Sequence, residues 1–343
     1  MRPALIPAAR RLWRDHQTLQ LGRGGRAAVL TGVDPGTRAA LALLDGTRDR
    51  DQLLTAARRA GCAPERTSTL LTLLEGAGLL EDAGADRSAL ATLTPAERER
   101  WAADLGSLAL VRGDGGLPAA RHRRTAHVLV LGAGRVGAPL AVMLAAAGVG
   151  AVDVADDAIT RPEDSGAGGL TLDDVGRSRG EAARELLRRE VPSTGPAPPG
   201  PPQLVLLTPT RSDQLETALP RIPEGVPHLL AEVRDTVGVV GPLVLPGRSA
   251  CLRCTELTRT DLDPGWPALA AQLATPSRHR GACDGPLAVM VAAQAALQVL
   301  LLIDGTADPA SVGGTLELAL PDWRWRRRSW PLHPACGCAR AIG

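Results

Sequence analysis

The stretch HVLVLGAGRVGAPLAVMLAAAGVGAVDVADD, residues 127–157, decides the fold of the larger part of this chain. It begins with five residues typical of a buried strand, continues through a glycine-rich turn into an Ala-rich helix, and ends in a second apolar strand. Parallel strands need a crossover between them, and a helix is the usual one. We therefore predict an α/β fold with a mostly parallel sheet for residues 126–343.

Three glycines, Gly132, Gly134 and Gly137, form a GxGxxG pattern in the turn between this strand and helix. In dinucleotide-binding proteins the first glycine makes a tight turn, the second lets the backbone approach a pyrophosphate, and the third lets helix and strand pack. Asp156 follows at the end of the second strand, in position to bind a ribose hydroxyl. The pattern predicts a nucleotide site, and close packing alone is the other interpretation of the glycines.

Further apolar segments extend the pattern toward the C-terminus. We predict helices at residues 180–192 and 285–305, strands at 203–208 and 228–233, and a closing hairpin from 314–320 and 323–330. The last segment, WRWRRRSW, fits a strand with Trp inward and Arg outward, although interleaved Trp and Arg also occur in nucleic-acid sites. Three polar residues follow the strand at 228–233, at the edge where open α/β sheets bind ligands: Glu232, Arg234 and Asp235.

Four of the six cysteines form two close pairs far apart in the sequence. Cys251 and Cys254 lie in CLRC, and Cys336 and Cys338 lie in CGC. Two such pairs are typical of a tetrahedral zinc site that ties two segments together, with His333 as an alternative ligand.

The other two cysteines stand outside this scheme. Cys62 lies at a predicted helix end, and a structural role is expected. Cys283, in GACDGP, is either a buried thiol or a reactive residue.

Residues 1–85 form a separate α+β pattern. Two short strands at 18–22 and 27–33 flank the turn signal Arg23-Gly24-Gly25. Three helical patterns and a possible wing strand follow: 35–44, 51–60, 64–74 and 79–81. This order predicts a winged-helix-like domain, with a small packing domain as the plainer interpretation. Residues 86–125 are predicted to be a helical, then basic linker.

The composition excludes several classes of function. The chain contains no Lys, Asn, Phe or Tyr, which indicates a GC-rich genome and rules out lysine chemistry. The net charge of +2 does not favour nucleic acid. The N-terminus has no apolar segment typical of a signal peptide, and no uninterrupted apolar run reaches membrane-spanning length. We expect a cytoplasmic protein that binds neither a membrane nor nucleic acid.

Residues 126–343 resemble the ThiF/MoeB-like superfamily, relatives of the ubiquitin-activating enzymes. VLGAGRVGAPLAVMLAAAGVGAVDVADD is similar to the family's glycine loop, helix and AGVG turn, and DVGRSRGEAARELL (174–187) to its DVGxxKAExA segment. CLRC, the helix GPLAVMVAAQAALQVL and HPACGC match its zinc cysteines and intervening helix in order. The resemblance implies a Rossmann-like domain with a zinc clip, a dimer, and ATP with Mg²⁺ at these residues: Gly132, Gly134, Arg135, Gly137, Asp156 and Arg179.

The sequence departs from the family where ATP is handled. EDSGAGG (163–169) replaces a segment that carries Asn, Arg and Gln, and Ala158 replaces the second Asp of the family's DxD. Arg179 stands at the family lysine, and LLTPTRSD offers Thr208, Thr210 and Asp213 in place of the magnesium-supporting Asp. Adenylation depends on such cations and metals, so bound ATP and Mg²⁺ are doubtful. Weak catalytic candidates remain: Arg179, Asp157 and Cys283.

The front domain resembles the leader-peptide recognition domain, or RiPP recognition element, fused to ThiF-like proteins in azole-forming peptide biosynthesis. Those proteins present a precursor leader to a YcaO-type cyclodehydratase, and the leader adds a strand beside the sheet and the third helix. The resemblance implies that the leader contacts Ala27, Val29, Thr31, Thr67, Leu70 and Leu73.

Three functions follow from these patterns. The first is a non-catalytic protein that binds and presents a leader peptide. The second is an active adenylyltransferase that activates a carboxyl group of a protein or peptide, with Arg135, Arg179 and Asp157 replacing the usual residues. The third is a nicotinamide oxidoreductase, suggested by the glycine turn alone and disfavoured by the zinc cysteines.

Overall fold

The computed structural model describes residues 1–23, 27–211, 213–275 and 282–338. The chain folds into two compact units, Met1–His122 and Arg123–Gly343. The first unit (unit 1) contains the segments predicted as a front domain and linker. The second (unit 2) contains the predicted strand–helix–strand unit.

Unit 1 is an α+β unit with short strands. In chain order its elements are β1 (Pro3–Leu5), β2 (Arg11–Trp13), β3 (Leu19–Leu21), β4 (Ala28–Leu30), α1 (Pro35–Ala42), α2 (Arg50–Arg59), α3 (Pro64–Gly76), β5 (Leu80–Asp82) and α4 (Pro95–Arg112), and α5 (Leu117–Thr125) crosses into unit 2.

The strands of unit 1 form two small antiparallel groups. Strands β2, β3 and β4 make a sheet with β3 in the centre, and β1 pairs with β5. The predicted strands at 18–22 and 27–33 correspond to β3 and β4, and Gly24 and Gly25 of the predicted turn lie outside the described residues. Strands β1 and β2 were not predicted, because neither three-residue segment lies within a longer run of strand-forming residues as β3 and β4 do.

Helices α1 to α3 match the three predicted helices, and their ends have chemical causes. Asp34 and Asp49 cap α1 and α2 through their carboxylates, and Pro64 occupies the first turn of α3. Their apolar faces join β3 and β4 in one core, which includes Leu19, Leu21, Leu53, Leu71 and Leu74. The winged-helix description of this unit stays a prediction.

The segment predicted as a linker is ordered into helices. Thr94 and Glu97 form a reciprocal capping box at the start of α4, and Gly113 ends that helix in the left-handed conformation. Trp101 of α4 and Ala120 of α5 are buried together in a small core of their own. Most of residues 86–125 therefore belong to unit 1.

Unit 2 is a three-layer α/β unit. In chain order its further elements are β6 (His127–Leu131), α6 (Gly137–Ala146), β7 (Ala151–Ala155), α7 (Arg179–Glu190), β8 (Leu204–Leu207), α8 (Asp213–Ala218), β9 (His228–Arg234), β10 (Val237–Val244), α9 (Leu252–Leu262), α10 (Trp266–Ala274), α11 (Gly285–Asp304), β11 (Gly314–Ala319) and β12 (Arg324–Ser329).

The sheet of unit 2 is mixed, with the strand order β12-β11-β10-β9-β8-β6-β7. Strands β9, β8, β6 and β7 are parallel neighbours, and β10, β11 and β12 continue the sheet by antiparallel pairing. Five of the seven strands consequently run in the same direction. The predicted βαβ unit is β6–α6–β7, and the predicted closing hairpin is β11–β12.

Alternate side chains of the parallel strands enter different cores, as a two-sided sheet requires. Leu204 and Leu206 of β8 join a large core with α6, α7 and α11, whereas Val205 and Leu207 join a smaller one with α8 and α9. The sheet therefore has helices on both faces, and the carboxyl ends of β6, β7, β8 and β9 share one edge.

Helix α11 is long and apolar enough to cross a membrane by length and composition. Nine of its twenty residues are buried, and it packs against α6, β9 and β10 in the large core. Its apolar composition is explained by that position, since a helix buried among other elements needs little polar surface.

Candidate functional site

The glycine turn lies between β6 and α6, and each of its glycines is in close contact with protein atoms. A Cβ atom on Gly132 would lie 2.3 Å from the Thr208 carbonyl oxygen, and the residue has φ +112°. A Cβ on Gly137 would lie 2.0 Å from the Gly132 oxygen. Close backbone packing therefore requires glycine at the first and third positions.

The second glycine faces a side chain of the β8–α8 turn. A Cβ on Gly134 would lie 2.2 Å from the Thr210 methyl carbon, so this methyl group occupies the space next to the glycine. The Thr210 hydroxyl donates to the Gln214 side-chain oxygen at 2.9 Å, which fixes the orientation of the methyl group. In this structure Thr210 lies where the pattern predicted a pyrophosphate.

Asp156 lies at the carboxyl end of β7, as predicted, and its carboxylate accepts three hydrogen bonds. Oδ2 accepts from the backbone N–H of Ala133 at 2.8 Å, and Oδ1 accepts from that of Ala158 at 2.9 Å. Arg179 adds a hydrogen bond from Nη2 to Oδ1 at 3.2 Å, and its Nε lies 3.1 Å from Oδ2 at a poor hydrogen-bond angle. Asp156 therefore has little capacity left for a ribose hydroxyl.

Arg179, Asp156 and Asp164 form a buried ion cluster, which we call the Arg179 cluster. Arg179 Nη1 donates to Asp164 Oδ1 at 2.8 Å, and the three side chains are only 5–8% exposed. Asp164 belongs to the EDSGAGG segment and also accepts from the Arg161 backbone N–H at 2.8 Å. The guanidinium thus holds together the end of β7, the following loop and the start of α7.

A cavity of about 360 Å³ lies beside this edge of the sheet. Its lining comes from the ends of β6 and β7, from α8 and from the residues around it: Leu131, Gly132, Ala155, Asp156, Asp157, Ala158, Pro209, Gln214, Thr217, Ala218 and Arg221. Asp157 is exposed and lies 3.5 Å from the Arg221 guanidinium at the rim. The Arg179 guanidinium is not among the lining groups.

The predicted phosphate contacts do not fit a triphosphate and Mg²⁺. Arg135 donates to the carbonyl oxygens of Ser165 at 3.0 Å and Cys283 at 2.7 Å, so it fixes two loops. Arg179 pairs with protein carboxylates, and Thr208 is buried with its hydroxyl bonded to the Gly132 carbonyl at 2.8 Å. The Asp213 side chain lies outside what the structure describes. Among the described residues, each predicted cation at this site has an internal partner.

Cys283 lies just before α11 and is half-buried. Burial raises the pKa of its thiol, the nearby Arg135 lowers that pKa to a smaller extent, and the Asp284 carboxylate adds to the increase. A raised pKa favours the protonated thiol at neutral pH, and the thiolate is the reactive form. The environment therefore favours a structural thiol at Cys283.

The four cysteines predicted to bind metal come together beside α9. Their Sγ atoms all lie within 4.8 Å of one another. The Cys251–Cys336 and Cys254–Cys338 sulfur distances are both 3.4 Å, and Cys251–Cys254 is 3.8 Å. Zn–S bonds of about 2.3 Å place the sulfurs of a tetrahedron about 3.8 Å apart. The donor set and its spacing fit a tetrahedral metal ion.

His333 supports this cluster without joining it. Its backbone N–H donates to Cys254 Sγ at 3.4 Å, while its ring Nε2 lies 2.9 Å from Asp261 Oδ2. Burial raises the pKa of the Cys254 thiol, but the His333 N–H and neighbouring cysteines outweigh this and lower it to about 7. A thiolate stabilised by backbone N–H groups is the form that binds metal.

The polar residues at the end of β9 pair with one another. Glu232 is buried and accepts from Arg234 at 2.6 Å, and Asp235 has φ +53° in the β9–β10 turn. Sequence reasoning missed the neighbouring Arg259, which lies over the rings of Trp266 and Trp330 at 5.0 and 5.5 Å. These contacts join α9, α10 and the segment after β12.

The predicted peptide-contacting residues of unit 1 divide into two groups. Ala27, Val29, Thr31 and Leu73 are exposed, with Val29 at 45% and Leu73 at 55%. Thr67 and Leu70 are 1% and 5% exposed and hold α3 to the core. The periodicity of a helix does not show which apolar stripe faces the core when two stripes are present.

Arg66 connects α3 to the chain after β4. Its Nε donates to the Thr37 hydroxyl at 2.8 Å, and Nη2 donates to the Gly32 carbonyl. The N-terminal half of α3 is therefore fixed beside the end of β4. No sequence signal distinguished Arg66 from the other arginines.

The comparisons with known proteins give one family match and several similar solved structures. Residues 108–194 match the family model described as ThiF family. No curated protein matches the chain.

Several solved structures are similar over nearly the whole chain. E. coli MccB with ATP has a TM-score of 0.71 and 16% identity, over 98% of this chain and 99% of that chain. The microcin C7 biosynthetic enzyme MccB in complex with N-formylated MccA has a TM-score of 0.71 and 15% identity, over 99% and 100%. PaaA has a TM-score of 0.67 and 18% identity, over 94% and 99%.

Together these matches confirm the predicted resemblance to the ThiF/MoeB-like superfamily and the predicted α/β fold.

Proposed function

We propose that this protein binds the leader of a precursor peptide and presents it for modification, without adenylating it. The observation that carries the proposal is the edge of β4 in unit 1. Strand β4 pairs with β3 on one side, and within the described part of the chain no strand pairs with its other side. An edge of this kind offers backbone N–H and C=O groups to an added strand.

Exposed apolar side chains on β4 and on α3 suit an extended apolar peptide. Val29 is exposed on β4, and Leu73 is exposed on α3, whose N-terminal half is fixed beside the end of β4 by Arg66. Thr69 is exposed one helical turn before Leu73. Backbone pairing to β4 would supply affinity, and these side chains would supply selectivity for apolar residues of the leader.

The comparisons support a role in the biosynthesis of modified peptides. MccB, which is similar to this chain over its full length, is described as a microcin C7 biosynthetic enzyme and was solved with N-formylated MccA. The YcaO-type partner, the homodimer, the cytoplasmic location and the absence of membrane or nucleic-acid binding rest on the sequence alone and stay predictions.

The engagement of the nucleotide-site residues supports a non-catalytic role. Asp156 accepts from two backbone N–H groups and from Arg179, and Arg135 is bonded to two carbonyl oxygens. Stabilisation of a phosphoryl-transfer transition state needs cations aimed at the phosphate oxygens. Arg135 and Arg179 are bonded to protein oxygens and are therefore not aimed at phosphate oxygens.

The proposal also assigns a metal ion to the four-cysteine cluster. We infer that Cys251, Cys254, Cys336 and Cys338 bind one structural zinc, because four thiolates leave no open position for a substrate. The ion would tie α9 to the C-terminal segment. It would stabilise unit 2 and take no part in a reaction.

Peptide titration of the full chain tests the proposal. The peptides are synthetic leaders encoded beside this gene, and binding is followed by fluorescence anisotropy. We expect saturable binding that weakens about tenfold in Val29→Ala and in Leu73→Ala, because each removes one apolar contact from the edge.

Trp13→Ala is the matched control. Trp13 is 47% exposed on β2, the opposite edge of the same sheet, and its substitution should leave the affinity unchanged. Binding that depends on Trp13 and not on Val29 or Leu73 would move the site to the other edge. The absence of binding by every leader would remove the proposal.

An active adenylyltransferase is the second candidate, favoured by the similarity to MccB solved with ATP. Its substrate would be a carboxyl group of a protein or peptide, with Asp157 and Arg221 at the rim of the cavity as the remaining charged groups. ATP–pyrophosphate exchange in the presence of the same leaders distinguishes the two candidates. Robust exchange by the native chain would overturn the non-catalytic role.

A further inference from the structure

We propose that the Arg179 guanidinium is a structural cation beside the glycine turn. It pairs with the carboxylates there, so that unit 2 folds fully without bound ATP. The proposal goes beyond peptide binding by unit 1, which holds whether or not a nucleotide binds unit 2. It assigns a structural role to a position at which the resemblance implied a phosphate contact.

The first support for this proposal is the charge balance of the Arg179 cluster. Two carboxylates and one guanidinium are buried together, which leaves one uncompensated negative charge. Three backbone N–H groups donate to these carboxylates, from Ala133, Ala158 and Arg161, at 2.8–2.9 Å. Such donors stabilise a buried carboxylate, so the cluster needs no further cation.

The geometry of α7 carries the second step. A Cβ on Gly180 would lie 2.7 Å from the Asp156 carbonyl oxygen, and the Gly180 N–H donates to that oxygen at 3.1 Å. The family segment DVGxxKAExA has Lys-Ala where this chain has Arg179-Gly180. These two differences from the family segment are related. Gly180 lets the start of α7 lie close to the end of β7, and this close approach places the Arg179 guanidinium against Asp156 and Asp164.

The third step concerns the space next to the glycine turn. The Thr210 methyl group faces Gly134, and the Thr208 hydroxyl donates to the Gly132 carbonyl oxygen. A triphosphate at the turn would have to displace Thr210, and its ribose would have to compete with Arg179 for Asp156. Both changes would break contacts that exist without a ligand.

Thermal unfolding of the full chain with and without Mg-ATP tests the proposal. A ligand that binds only the folded state raises the unfolding midpoint as its concentration rises. We expect no shift for the native chain at millimolar Mg-ATP. Arg179→Ala should lower the ATP-free midpoint by roughly 5–10 °C, because it leaves two buried carboxylates without their cation.

Arg177→Ala is the matched control for the charge. Arg177 lies two residues earlier and pairs with Asp174 and Glu185 in an exposed position, so its loss should change the midpoint by about 2 °C or less. A midpoint of the native chain that rises with Mg-ATP would overturn the proposal, and so would an Arg179→Ala variant that keeps the native ATP-free midpoint.

Gly180→Ala provides an independent readout if Arg179→Ala fails to fold. Alanine ordinarily stabilises a helix relative to glycine, so helix propensity alone predicts a higher midpoint. The proposal predicts a lower midpoint, because the added Cβ pushes α7 away from Asp156 and weakens the cluster. A higher midpoint in Gly180→Ala would contradict the assignment. Leader binding in the same variants separates this outcome from failure of the peptide-binding proposal.

Discussion

Arg123 and Asp304, 181 positions apart in the sequence, form a buried bidentate ion pair. Nε donates to Oδ1 at 2.8 Å and Nη2 donates to Oδ2 at 2.7 Å, while Nη1 donates to the Ala147 carbonyl at 3.1 Å. The side chains are 7% and 5% exposed. The pair joins the first residue of unit 2 to the last residue of α11 and to the end of α6.

Removal of Arg123 should strongly destabilise unit 2. Arg123→Ala removes the bidentate guanidinium from the buried Asp304 carboxylate, which costs about 3–5 kcal/mol. Urea unfolding followed by circular dichroism measures the loss. Arg326→Ala removes an exposed partner of Asp322 and should leave the free energy of unfolding almost unchanged, because water screens this pair. If the double variant Arg123→Met with Asp304→Leu is no more stable than Arg123→Ala, the buried Asp304 charge is not the cause of the loss.

The glycine turn gives a second prediction, based on what each added Cβ would meet. Gly137→Ala places a methyl group against the Gly132 backbone oxygen, which cannot move aside, and should cost about 3 kcal/mol. Gly134→Ala meets the methyl group of the exposed Thr210, and Thr210→Ser should rescue part of its loss. Urea unfolding gives the free energy of unfolding of Gly137→Ala, of Gly134→Ala and of Gly134→Ala combined with Thr210→Ser. Equal losses in Gly137→Ala and Gly134→Ala, without rescue, would argue against packing as the reason for these glycines.

The cysteine cluster predicts a metal stoichiometry of one zinc per chain. Cys254→Ser should lower the zinc content well below one and lower the unfolding midpoint, because metal binding is coupled to folding. Metal analysis after gentle purification measures the content. Cys283→Ser is the control, since Cys283 lies outside the cluster and its loss should leave the zinc in place. Full zinc content in Cys254→Ser would exclude Cys254 as a ligand.

His228 predicts a pH dependence of stability. Burial lowers the pKa of its imidazole in the folded state, and its hydrogen bond to the Val226 carbonyl offsets this only in part. The unfolded chain then binds the proton more readily, so stability decreases as the pH falls below about 6.5. The free energy of unfolding from pH 8 to 5.5 measures the effect. His228→Gln should flatten this part of the profile, and an unchanged slope would assign the dependence to other groups.

Cys283 predicts low thiol reactivity. Because burial raises its pKa, little thiolate is present at neutral pH, and iodoacetamide should modify it at least about tenfold more slowly than free cysteine. Mass spectrometry of timed samples at pH 7.5 gives the rate. Arg135→Ala removes the nearby cation and should slow the reaction further. Rapid modification of native Cys283 would restore it as a catalytic candidate.

Local patterns predicted much of the fold. The period of two and the apolar runs located β6, β7, β8 and the core part of β9, and the caps located α1 to α3. Strand β1 escaped prediction because its partner β5 is distant in the sequence. Strand β2 pairs locally with β3 and was missed because Arg11–Trp13 lies in an Arg-rich segment without a strand pattern. The antiparallel strand β10 was missed because its sequence, VGVVGPLV, contains two glycines and a proline, which are atypical of a strand interior.

The sequence identified the residues that meet at the candidate sites, but it did not show which atoms they contact. Spacing identified the glycines, Asp156 and the four cysteines, and the family pattern identified Arg179. Neither could show that Arg179 turns inward to two carboxylates, since Asp164 lies in a loop whose path depends on the sheet. Nor could spacing show that Thr67 and Leu70 face the core while Leu73 faces solvent.

The sequence by itself determined the strand–helix–strand unit, the glycine turn and the two close cysteine pairs, because each depends on residues that are close along the chain. Only the tertiary structure decided which partner each charged group has. A guanidinium and a carboxylate that lie tens of residues apart meet only when the sheet and helices bring them together. In the Arg179 cluster that meeting engages Asp156 and Arg179, two of the residues predicted to bind ATP, whereas among the described residues of unit 1 no strand pairs with the outer edge of β4.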